Sequence, residues 1–372
     1  MSKESLQLDC IMQGDCIEVL RSLPEDSFDL IFADPPYNLQ LNQELWRPNL
    51  TRVDAVKDEW DRFPNIKSYD EFSRAWLVEC RRVLKNDGAI WVIGTYHNIF
   101  RLGTILQDLG FWFLNDVVWI KTNPMPNFRG VRFTNAHETL IWACKEKRGK
   151  YKFNYHAMKD LNEGRQMRSD WEIPLCTGEE RIKVNGKKAH STQKPEALLY
   201  RIIVSSTYPG DIVLDPFFGT GTTGAVAKKL HRHWVGIENN IEYVKLAQDR
   251  LDNIIPGEFN STVFNVRDRK RGQKRIPFGN IVENGLLHPG QTLYLNGDSD
   301  IKAIIKPDGK LLIPGFVGSI HQTAKHLSGD KPCNGWECWF YENENGEMKK
   351  IDELRSKFAS ESGFTEEIDR SA

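Results

Sequence analysis

The 372-residue chain has no run of 18 apolar residues, which is about the shortest stretch that spans a membrane as a helix. The N-terminal residues Met1-Ser-Lys-Glu-Ser also lack a hydrophobic signal region. These two absences predict a soluble protein without membrane contact, which stays in the cytoplasm where it is made.

A zinc framework is also missing from the sequence. The seven cysteines are odd in number and scattered, and Cys333 and Cys338 are the only close pair in the second half. No other Cys/His pair stands at a matching spacing, whereas a structural zinc ion needs four ligands. We therefore expect reduced thiols and no bound metal.

An overall charge of one sign is absent too, since the formal net charge is −1. The charge is nevertheless uneven along the chain. Residues 121–188 hold 15 Lys/Arg against 8 Asp/Glu, and residues 267–275 hold six basic residues and one acid. A basic middle segment can bind phosphates through counterion release whatever the total charge is, although a basic stretch is more often only a solvated surface.

Buried strand patterns and amphipathic helix patterns alternate along most of the first 254 residues. Strands are predicted at 10–15, 28–33, 88–94, 111–120, 212–215 and 234–238. Helices are predicted at 17–23, 69–84, 97–109, 195–206, 222–230 and 242–254. This rhythm predicts an α/β fold with a doubly wound, mostly parallel, Rossmann-like sheet.

Two stretches interrupt the alternation and suggest the domain plan. Residues 39–67 are polar without a clear period, and residues 122–191 are basic, aromatic and irregular; long loops of this kind are usually functional or disordered. We expect one domain over 1–258 that includes the 122–191 segment, a basic linker over 259–276 and a small α+β module over 277–372.

A glycine-rich turn, Asp215-Pro-Phe-Phe-Gly-Thr-Gly-Thr-Thr-Gly224, joins a predicted strand to a predicted helix. The spacing of Gly219, Gly221 and Gly224 also occurs in dinucleotide-binding dehydrogenases, so the spacing alone is a weak signal. Asp215, however, would repel a pyrophosphate and attract an ammonium group. With Glu238 at the end of the next strand to hold ribose hydroxyls, the pattern predicts S-adenosylmethionine as the ligand.

The tetrapeptide Asp34-Pro35-Pro36-Tyr37 follows the buried strand 28–33. Two prolines remove two backbone N–H donors, so the backbone there can only accept hydrogen bonds. A carboxylate beside a bare Pro35 carbonyl is suited to an amino group with two hydrogens, and Tyr37 adds a ring that can stack on a base. We expect these residues to orient the N6 lone pair of adenine toward the sulfonium methyl, with the base turned out of the duplex and the methyl transferred directly.

Both motifs resemble those of the DNA amino-methyltransferases, in which D-P-P-Y and D-P-F-x-G-x-G-T-T end two different strands. The catalytic tetrapeptide comes first here, which resembles the circularly permuted β arrangement with the target-recognition region between the motifs. The resemblance implies a set of cofactor contacts. They are Asp15 and Cys16 in Gly14-Asp-Cys, His97 in residues 94–100, Lys194 in Thr192-Gln-Lys-Pro195, and Asp215, Phe217, Gly219, Gly221, Thr222 and Glu238 in the turn and the strand after it.

A finer resemblance extends over most of the chain. The segments 123–128, 166–171, 176–181, 318–321 and 333–336 resemble those of the cell-cycle-regulated, CcrM-type adenine methyltransferases of alphaproteobacteria, which modify GANTC. The usual H-P-T-Q-K-P reads His190-Ser-Thr-Gln-Lys-Pro195 here. The resemblance implies a homodimer on double-stranded DNA and a DNA-binding C-terminal module. Candidate DNA contacts are Arg47, Asn127, Arg129, Asn334 and Trp336, although a Trp after Asn-Gly is more often a core residue.

Four other functions share part of this evidence. Cytosine-N4 enzymes usually carry Ser where Asp34 stands, and RNA or protein amino-methyltransferases usually carry Asn and lack a long recognition insert. A dehydrogenase leaves residues 34–37 unexplained. A catalytically silent DNA-binding protein would not need both motifs intact. The sequence therefore favours an adenine-specific DNA methyltransferase, and transfer of labelled methyl groups to DNA would separate these alternatives.

Overall fold

The structure is a computed structural model that describes residues 6–39, 61–127, 130–190, 192–264, 266, 276–329 and 333–361. The chain divides into two compact units, Met1–Asp268 and Arg269–Ala372, and each is described by itself. Within the described ranges, no helix is long and apolar enough to cross a membrane.

The first unit contains ten strands and eight helices among its described residues. The strands are β1 (Cys10–Gln13), β2 (Phe28–Ala33), β3 (Leu84–Gly94), β4 (Trp112–Lys121), β5 (His137–Cys144), β6 (Asp170–Ile173), β7 (Lys183–Val184), β8 (Lys187–Lys188), β9 (Ile212–Asp215) and β10 (His233–Glu238). The helices are α1 (Cys16–Ser22), α2 (Ile66–Val83), α3 (Ile99–Asp108), α4 (Tyr155–Asp160), α5 (Glu196–Ser206), α6 (Thr222–Lys229), α7 (Ile241–Asp252) and α8 (Ser261–Phe264).

Eight of these strands form one mixed sheet in the order β1-β10-β9-β2-β3-β5-β4-β6. β5 runs antiparallel to both of its neighbours, and the other neighbouring pairs are parallel. The prediction of an α/β fold with a mostly parallel sheet is confirmed. Strands β2 and β9 lie side by side although they are far apart in the sequence.

Strand β2 shows why the continuous apolar run at 28–33 reads as a central strand. All six residues are buried. Leu30 and Phe32 pack into one core cluster, which contains helices α5 to α7, while Ile31 and Ala33 pack into the cluster with α1 to α3. Successive side chains of a strand point to opposite faces, so a strand covered by helices on both faces needs apolar residues at every position.

The expectation that residues 122–191 are irregular throughout was wrong. β5 lies inside that segment and pairs with β3 and β4 over most of its length. Its sequence, His-Glu-Thr-Leu-Ile-Trp-Ala-Cys, begins with polar residues and ends in an apolar run, and His137 to Cys144 is a core strand with only its first residue exposed. The basic composition around it concealed this short apolar run.

The second unit has six strands in an antiparallel sheet of order β14-β13-β12-β11-β15-β16. Its strands are β11 (Thr292–Leu295), β12 (Lys302–Ile305), β13 (Leu311–Ile313), β14 (Phe316–Gly318), β15 (Trp339–Glu342) and β16 (Met348–Lys350). Its helices are α9 (Phe278–Glu283), α10 (Ile320–Leu327), α11 (Gly335–Cys338) and α12 (Ile351–Glu361), and these elements share one apolar core. Cys333 and Cys338 form a disulfide, so the expectation of free thiols was wrong for this pair.

Candidate active site

The sheet brings the tetrapeptide and the glycine turn to the same edge. β2 ends at Ala33 and its parallel neighbour β9 ends at Asp215, so the residues that follow both strands meet there. β10, next along, ends at Glu238 at the same edge. In open α/β sheets, ligands bind in the crevice at the carboxyl ends of the strands.

The glycine turn has the backbone that its residues predict. Gly219 and Gly221 have φ of +55° and +77°, in the left-handed region where glycine is unstrained. Gly224, at the start of α6, lies so close to the Phe218 ring that an added Cβ would stand 2.6 Å from it. The third glycine therefore allows α6 to pack tightly on the strand layer. Thr222 begins α6, and its hydroxyl lies 3.4 Å from the Lys194 carbonyl oxygen.

Asp215 is buried behind this turn and is only 3% exposed. Its carboxylate accepts hydrogen bonds from the Phe217 N–H (2.9 Å) and the Thr223 hydroxyl (2.5 Å). Burial, together with the charges of Asp34 and Glu238, raises the pKa of Asp215 to about 7 in spite of these bonds. A carboxylate that is deprived of solvent in this way favours a cationic group beside it.

Three other predicted cofactor residues have structural duties of their own. Glu238 accepts from the backbone N–H groups of Gly219 and Asn240, both at 2.8 Å, which ties the glycine turn to β10. Asp15 is the N-cap of α1 and accepts from the N–H groups of Ile17 and Glu18. Cys16 is buried, and burial raises the pKa of its thiol to about 12, so it stays protonated. Carboxylate oxygens retain further lone pairs for a ligand.

A cavity of about 680 Å³ runs along this edge from the Gly14–Cys16 turn to the tetrapeptide. Its walls include Asp15, Phe217, Gly219 and Glu238 as well as Asp34 and Tyr37 of the tetrapeptide. Phe63 and Phe72 add aromatic rings that the sequence analysis did not identify. An apolar wall with a few convergent polar groups and a buried carboxylate fits a cationic nucleoside such as S-adenosylmethionine.

Asp34, in the tetrapeptide, has a partner on each carboxylate oxygen. Oδ2 accepts from the Lys194 ammonium at 2.7 Å, and Oδ1 lies 3.0 Å from the Tyr37 hydroxyl. Burial raises the pKa of Asp34, and Glu138 raises it as well, while Lys194 lowers it. The resemblance implied that Lys194 would contact the cofactor, whereas the structure places its ammonium on Asp34.

The carbonyls of the two prolines differ in their surroundings. The Pro36 carbonyl accepts from the Tyr69 hydroxyl at 2.9 Å and lies 3.4 Å from the Asn98 amide nitrogen. These two side chains come from α2 and the loop before α3, and they hold the tetrapeptide against the helix layer. Pro36 is therefore engaged by the scaffold, and Pro35 is the candidate acceptor for a substrate.

Glu138, at the second position of β5, belongs to the site but was missed by the sequence analysis. Its Oε2 accepts from the Tyr37 hydroxyl at 2.8 Å, and its Oε1 pairs with the Lys121 ammonium at 2.9 Å. Both charged side chains are less than 10% exposed. The signal was present in the sequence, because an acid at the head of an apolar run is costly to bury without a partner.

His97 is a predicted cofactor residue that does not line the cavity, and neither do Lys194, Asp215, Gly221 and Thr222. Its ring stacks on Tyr96 with a centroid distance of 4.0 Å, and its Nδ1 lies 3.1 Å from the Thr95 hydroxyl. Burial lowers the pKa of His97, so it is neutral at physiological pH. His190 does line the cavity, and its burial lowers its pKa to about 4.

The five candidate DNA contacts fall in different surroundings. Arg47 and Arg129 lie outside the described residues. Asn127 is half-buried, and its side-chain oxygen lies 3.4 Å from the Val131 N–H. Asn334 caps α11 by accepting from the Trp336 N–H, and Trp336 is 6% exposed, packed on Phe278 and under the Arg355 guanidinium.

Part of the positive charge in residues 121–188 is neutralised inside the fold. Lys121 pairs with Glu138, Lys145 with Asp26, and Lys152 with both Asp29 and Asp211. These lysines therefore hold the domain together and do not face a ligand, so the excess of basic residues overstates the charge available to DNA. Within the ranges that the structure describes, no cluster of His, Cys, Asp or Glu could hold a metal ion.

Two family profiles match different parts of the chain. One is described as DNA methylase and matches residues 28–249, which include both motifs. The other is described as Restriction Enzyme Adenine Methylase Associated and matches residues 263–363.

Individual relatives agree with these matches. The chain is 47% identical to the Type II methyltransferase M.HinfI of Haemophilus influenzae over 97% of this chain and 100% of the relative. It is 42% identical to the Type II methyltransferase M2.DpnII of Streptococcus pneumoniae over 65% of this chain and 89% of the relative. The solved structure of the cytosine-N4-specific PvuII DNA methyltransferase superposes with a TM-score of 0.51 at 25% identity, over 66% of this chain and 87% of that one.

Proposed function

The chain belongs to the DNA methylase family and is an adenine-specific, S-adenosylmethionine-dependent DNA methyltransferase, and from this premise we propose that it methylates adenine N6 within GANTC in duplex DNA. The CcrM-type resemblance and the 47% identity to M.HinfI both support this target. The observation that carries the proposal is Asp34 with the adjoining Pro35 carbonyl, in the same cavity that the glycine turn lines.

Most of the proposed cofactor contacts line the cavity, and Asp215 lies directly before the lining residues Pro216 and Phe217. Bound S-adenosylmethionine supplies an electrophilic methyl group on a sulfonium. We assign its ammonium to Asp215, because burial raises the pKa of that carboxylate and a cation beside it would stabilise the charged form. Glu238 is assigned to the ribose, Asp15 and Cys16 to the adenine ring, and Phe217 with Phe72 to the apolar wall.

Catalysis in this proposal is the positioning of one amino group. The target adenine turns out of the duplex and stacks on Tyr37 while Asp34 and the Pro35 carbonyl each accept one N6 hydrogen. The amine can then become tetrahedral, and its lone pair points along the cavity. The N6–methyl bond forms as the sulfur–methyl bond breaks, the sulfur keeps the electron pair, and a proton leaves N6.

The target specificity can be tested with matched DNA. Duplexes that carry GANTC, and duplexes in which the adenine is moved within the same base composition, are incubated with labelled S-adenosylmethionine. We expect label as N6-methyladenine in the GANTC duplex alone. Label on cytosine, or equal labelling of both duplexes, would contradict the proposal.

The role of the tetrapeptide has its own test. Asp34→Ala should abolish transfer, with a rate at least about a thousandfold lower, because the amine loses its charged acceptor. Its affinity for S-adenosylmethionine, measured by calorimetry, should stay within a few-fold of wild type. Retained turnover would exclude Asp34 from this role.

We further propose that the permuted β order and the homodimer that the resemblance implies hold for this chain. The second unit, matched by the Restriction Enzyme Adenine Methylase Associated profile, is proposed to add DNA contacts. Light scattering at micromolar concentration should give twice the chain mass of 42.9 kDa. A single-chain mass at that concentration would contradict the dimer.

A further inference from the structure

Each carboxylate oxygen of Asp34 already has one partner in this structure. Lys194 occupies Oδ2 at 2.7 Å and Tyr37 lies 3.0 Å from Oδ1. A target amine that donates to Asp34 competes with these two groups for its lone pairs and loosens or displaces one of them. The displaced group is then left in a buried site, where a polar group without a partner is costly.

Glu138 is placed to receive both displaced groups. Its Oε2 lies 2.8 Å from the Tyr37 hydroxyl and 3.8 Å from the Lys194 ammonium. The Tyr37 hydroxyl has one hydrogen and lies between two carboxylates, closer to that of Glu138. The Lys194 ammonium is 1.1 Å closer to Asp34 than to Glu138, so a small side-chain movement exchanges one carboxylate for the other.

We propose that Glu138 is a positioning residue for methyl transfer, which accepts the Tyr37 hydroxyl and the Lys194 ammonium when the target amine binds Asp34. This role rests on the proposed function of Asp34 and adds a residue to it. Lys121 keeps Glu138 in place through its other oxygen, at 2.9 Å. Lys194 and both carboxylates stay in the site, so the exchange moves no net charge into or out of it.

The charges around Asp34 give the proposal a pH signature. The groups that face Asp34 are Lys194, Tyr37, Glu138 and the buried Asp215. Glu138 raises the pKa of Asp34 and Lys194 lowers it. Without the Glu138 charge, Lys194 stays on Asp34, and the pKa of Asp34 falls.

The test is Glu138→Gln in the full-length enzyme under single-turnover conditions. We expect a methyl-transfer rate lower by about tenfold to a hundredfold, because the amine must compete with Lys194 for Asp34. The acid limb of the rate–pH profile should move to lower pH, which a general loss of folded protein would not produce. Glu138→Asp, which keeps the charge, should restore part of the rate and return the acid limb toward its wild-type position.

A binding measurement tests the same idea without turnover. With S-adenosylhomocysteine present, duplexes with adenine or with purine at the target position are compared, since purine lacks the amino group. Wild type should bind the adenine duplex with higher affinity than the purine duplex, because only adenine makes the N6 contact. Glu138→Gln should reduce this difference in affinity. The matched control is Glu172→Gln, which removes an exposed acid from β6. It should change neither the rate–pH profile nor the difference in affinity between the two duplexes.

Removing Glu138 alone leaves Lys121 buried without its partner, which can destabilise the fold. The double variant Lys121→Met/Glu138→Gln removes both charges and should fold while showing the same displaced acid limb. An unshifted limb with a rate within twofold of wild type, in either variant, would overturn the proposal. Asp34→Ala is measured beside them, and if it keeps turnover, the proposed function fails and not only the role of Glu138.

Discussion

At the scale of single residues, the buried charge of Asp215 links cofactor binding to pH. Its pKa of about 7 in the ligand-free protein lies above the ordinary value of 3.8 because of burial. A cation bound beside it favours the carboxylate and lowers that pKa in the complex. Binding therefore releases a proton, and affinity rises with pH through neutrality by at most about tenfold per pH unit.

Calorimetry in two buffers of different ionisation enthalpy, between about pH 6 and pH 8, measures this release directly. Asp215→Asn should bind S-adenosylmethionine more weakly and should lose the pH dependence, since it has no proton to release. Proton uptake on binding, or an unchanged pH dependence in Asp215→Asn, would contradict the assignment of Asp215 to the ammonium.

Asp15 illustrates a residue with two duties that substitutions can separate. It caps α1, so Asp15→Ala should lower the free energy of unfolding by about 1 kcal/mol. Asn is an equally good N-cap, so Asp15→Asn should keep the stability of wild type. If Asp15 also accepts from the cofactor's adenine, both variants should bind S-adenosylmethionine less tightly. Unchanged binding by Asp15→Asn in calorimetry would leave only the capping role.

At the scale of secondary-structure elements, the glycine turn packs closely on β10 because Gly236 has no side chain. Gly236 faces the Phe218 ring, and an added Cβ would lie 2.3 Å from it. Phe218 is itself buried and stacked on Trp234, so it has no free space to move into. Gly236→Ala should lower the free energy of unfolding by about 1–3 kcal/mol, measured by urea denaturation.

Gly257→Ala is the control for this substitution in the same unit. An added methyl there meets its nearest atom at 3.9 Å, in ordinary contact, on an exposed residue. Its free energy of unfolding should stay within about 0.5 kcal/mol of wild type. An equal decrease in the free energy of unfolding of the two variants would show that the Phe218 contact does not cause the destabilisation of Gly236→Ala.

Elements whose burial extends over their whole length could be predicted from the sequence. β2 and β9 have the predicted bounds, because their continuous apolar runs end where polar turn residues begin. β5 was missed because half of it is polar or amphipathic and it lies in a basic segment. Its pairing with β3 and β4 is decided by tertiary contacts that no local pattern shows.

The same reasoning explains which parts of the site were found. Asp34 and Asp215 follow buried strands and carry recognisable neighbours, so their chemistry could be predicted. Glu138 and Lys121 come from adjacent antiparallel strands, and their pairing depends on register alone. The position of Lys194 on Asp34 joins residues 160 positions apart, and sequence spacing gives no information on such a contact.

At the scale of the whole molecule, some basic residues hold the fold together and others lie exposed on its surface. Lys183 and Lys188 lie exposed on the β7–β8 hairpin, whose Asn185 and Gly186 both have positive φ, as a tight two-residue hairpin turn requires. If this hairpin contacts phosphates, Lys183→Gln/Lys188→Gln should reduce the slope of log affinity against log salt by about 2.

Fluorescence anisotropy of a labelled duplex at several salt concentrations measures that slope. The control is Lys147→Gln/Lys150→Gln, which removes the same charge from exposed residues after β5, at the opposite edge of the sheet. It should leave the slope within experimental error of wild type. An equal decrease in both variants would indicate a nonspecific effect of net charge.

The ion pair between Lys121 and Glu138 has a consequence for how target specificity can change. Lys121 is the last residue of β4 and Glu138 is the second residue of β5. The Lys121 N–H also donates to the Ala136 carbonyl. This hydrogen bond and the ion pair hold together the two ends of the segment between β4 and β5. We therefore expect that residues 122–136 can be exchanged without altering the register of β4 and β5, provided that Asn123, which accepts from the Leu175 N–H, is kept. If this segment reads the DNA sequence, such an exchange should change the target, while the Glu138–Tyr37 contact and the methylation chemistry are retained.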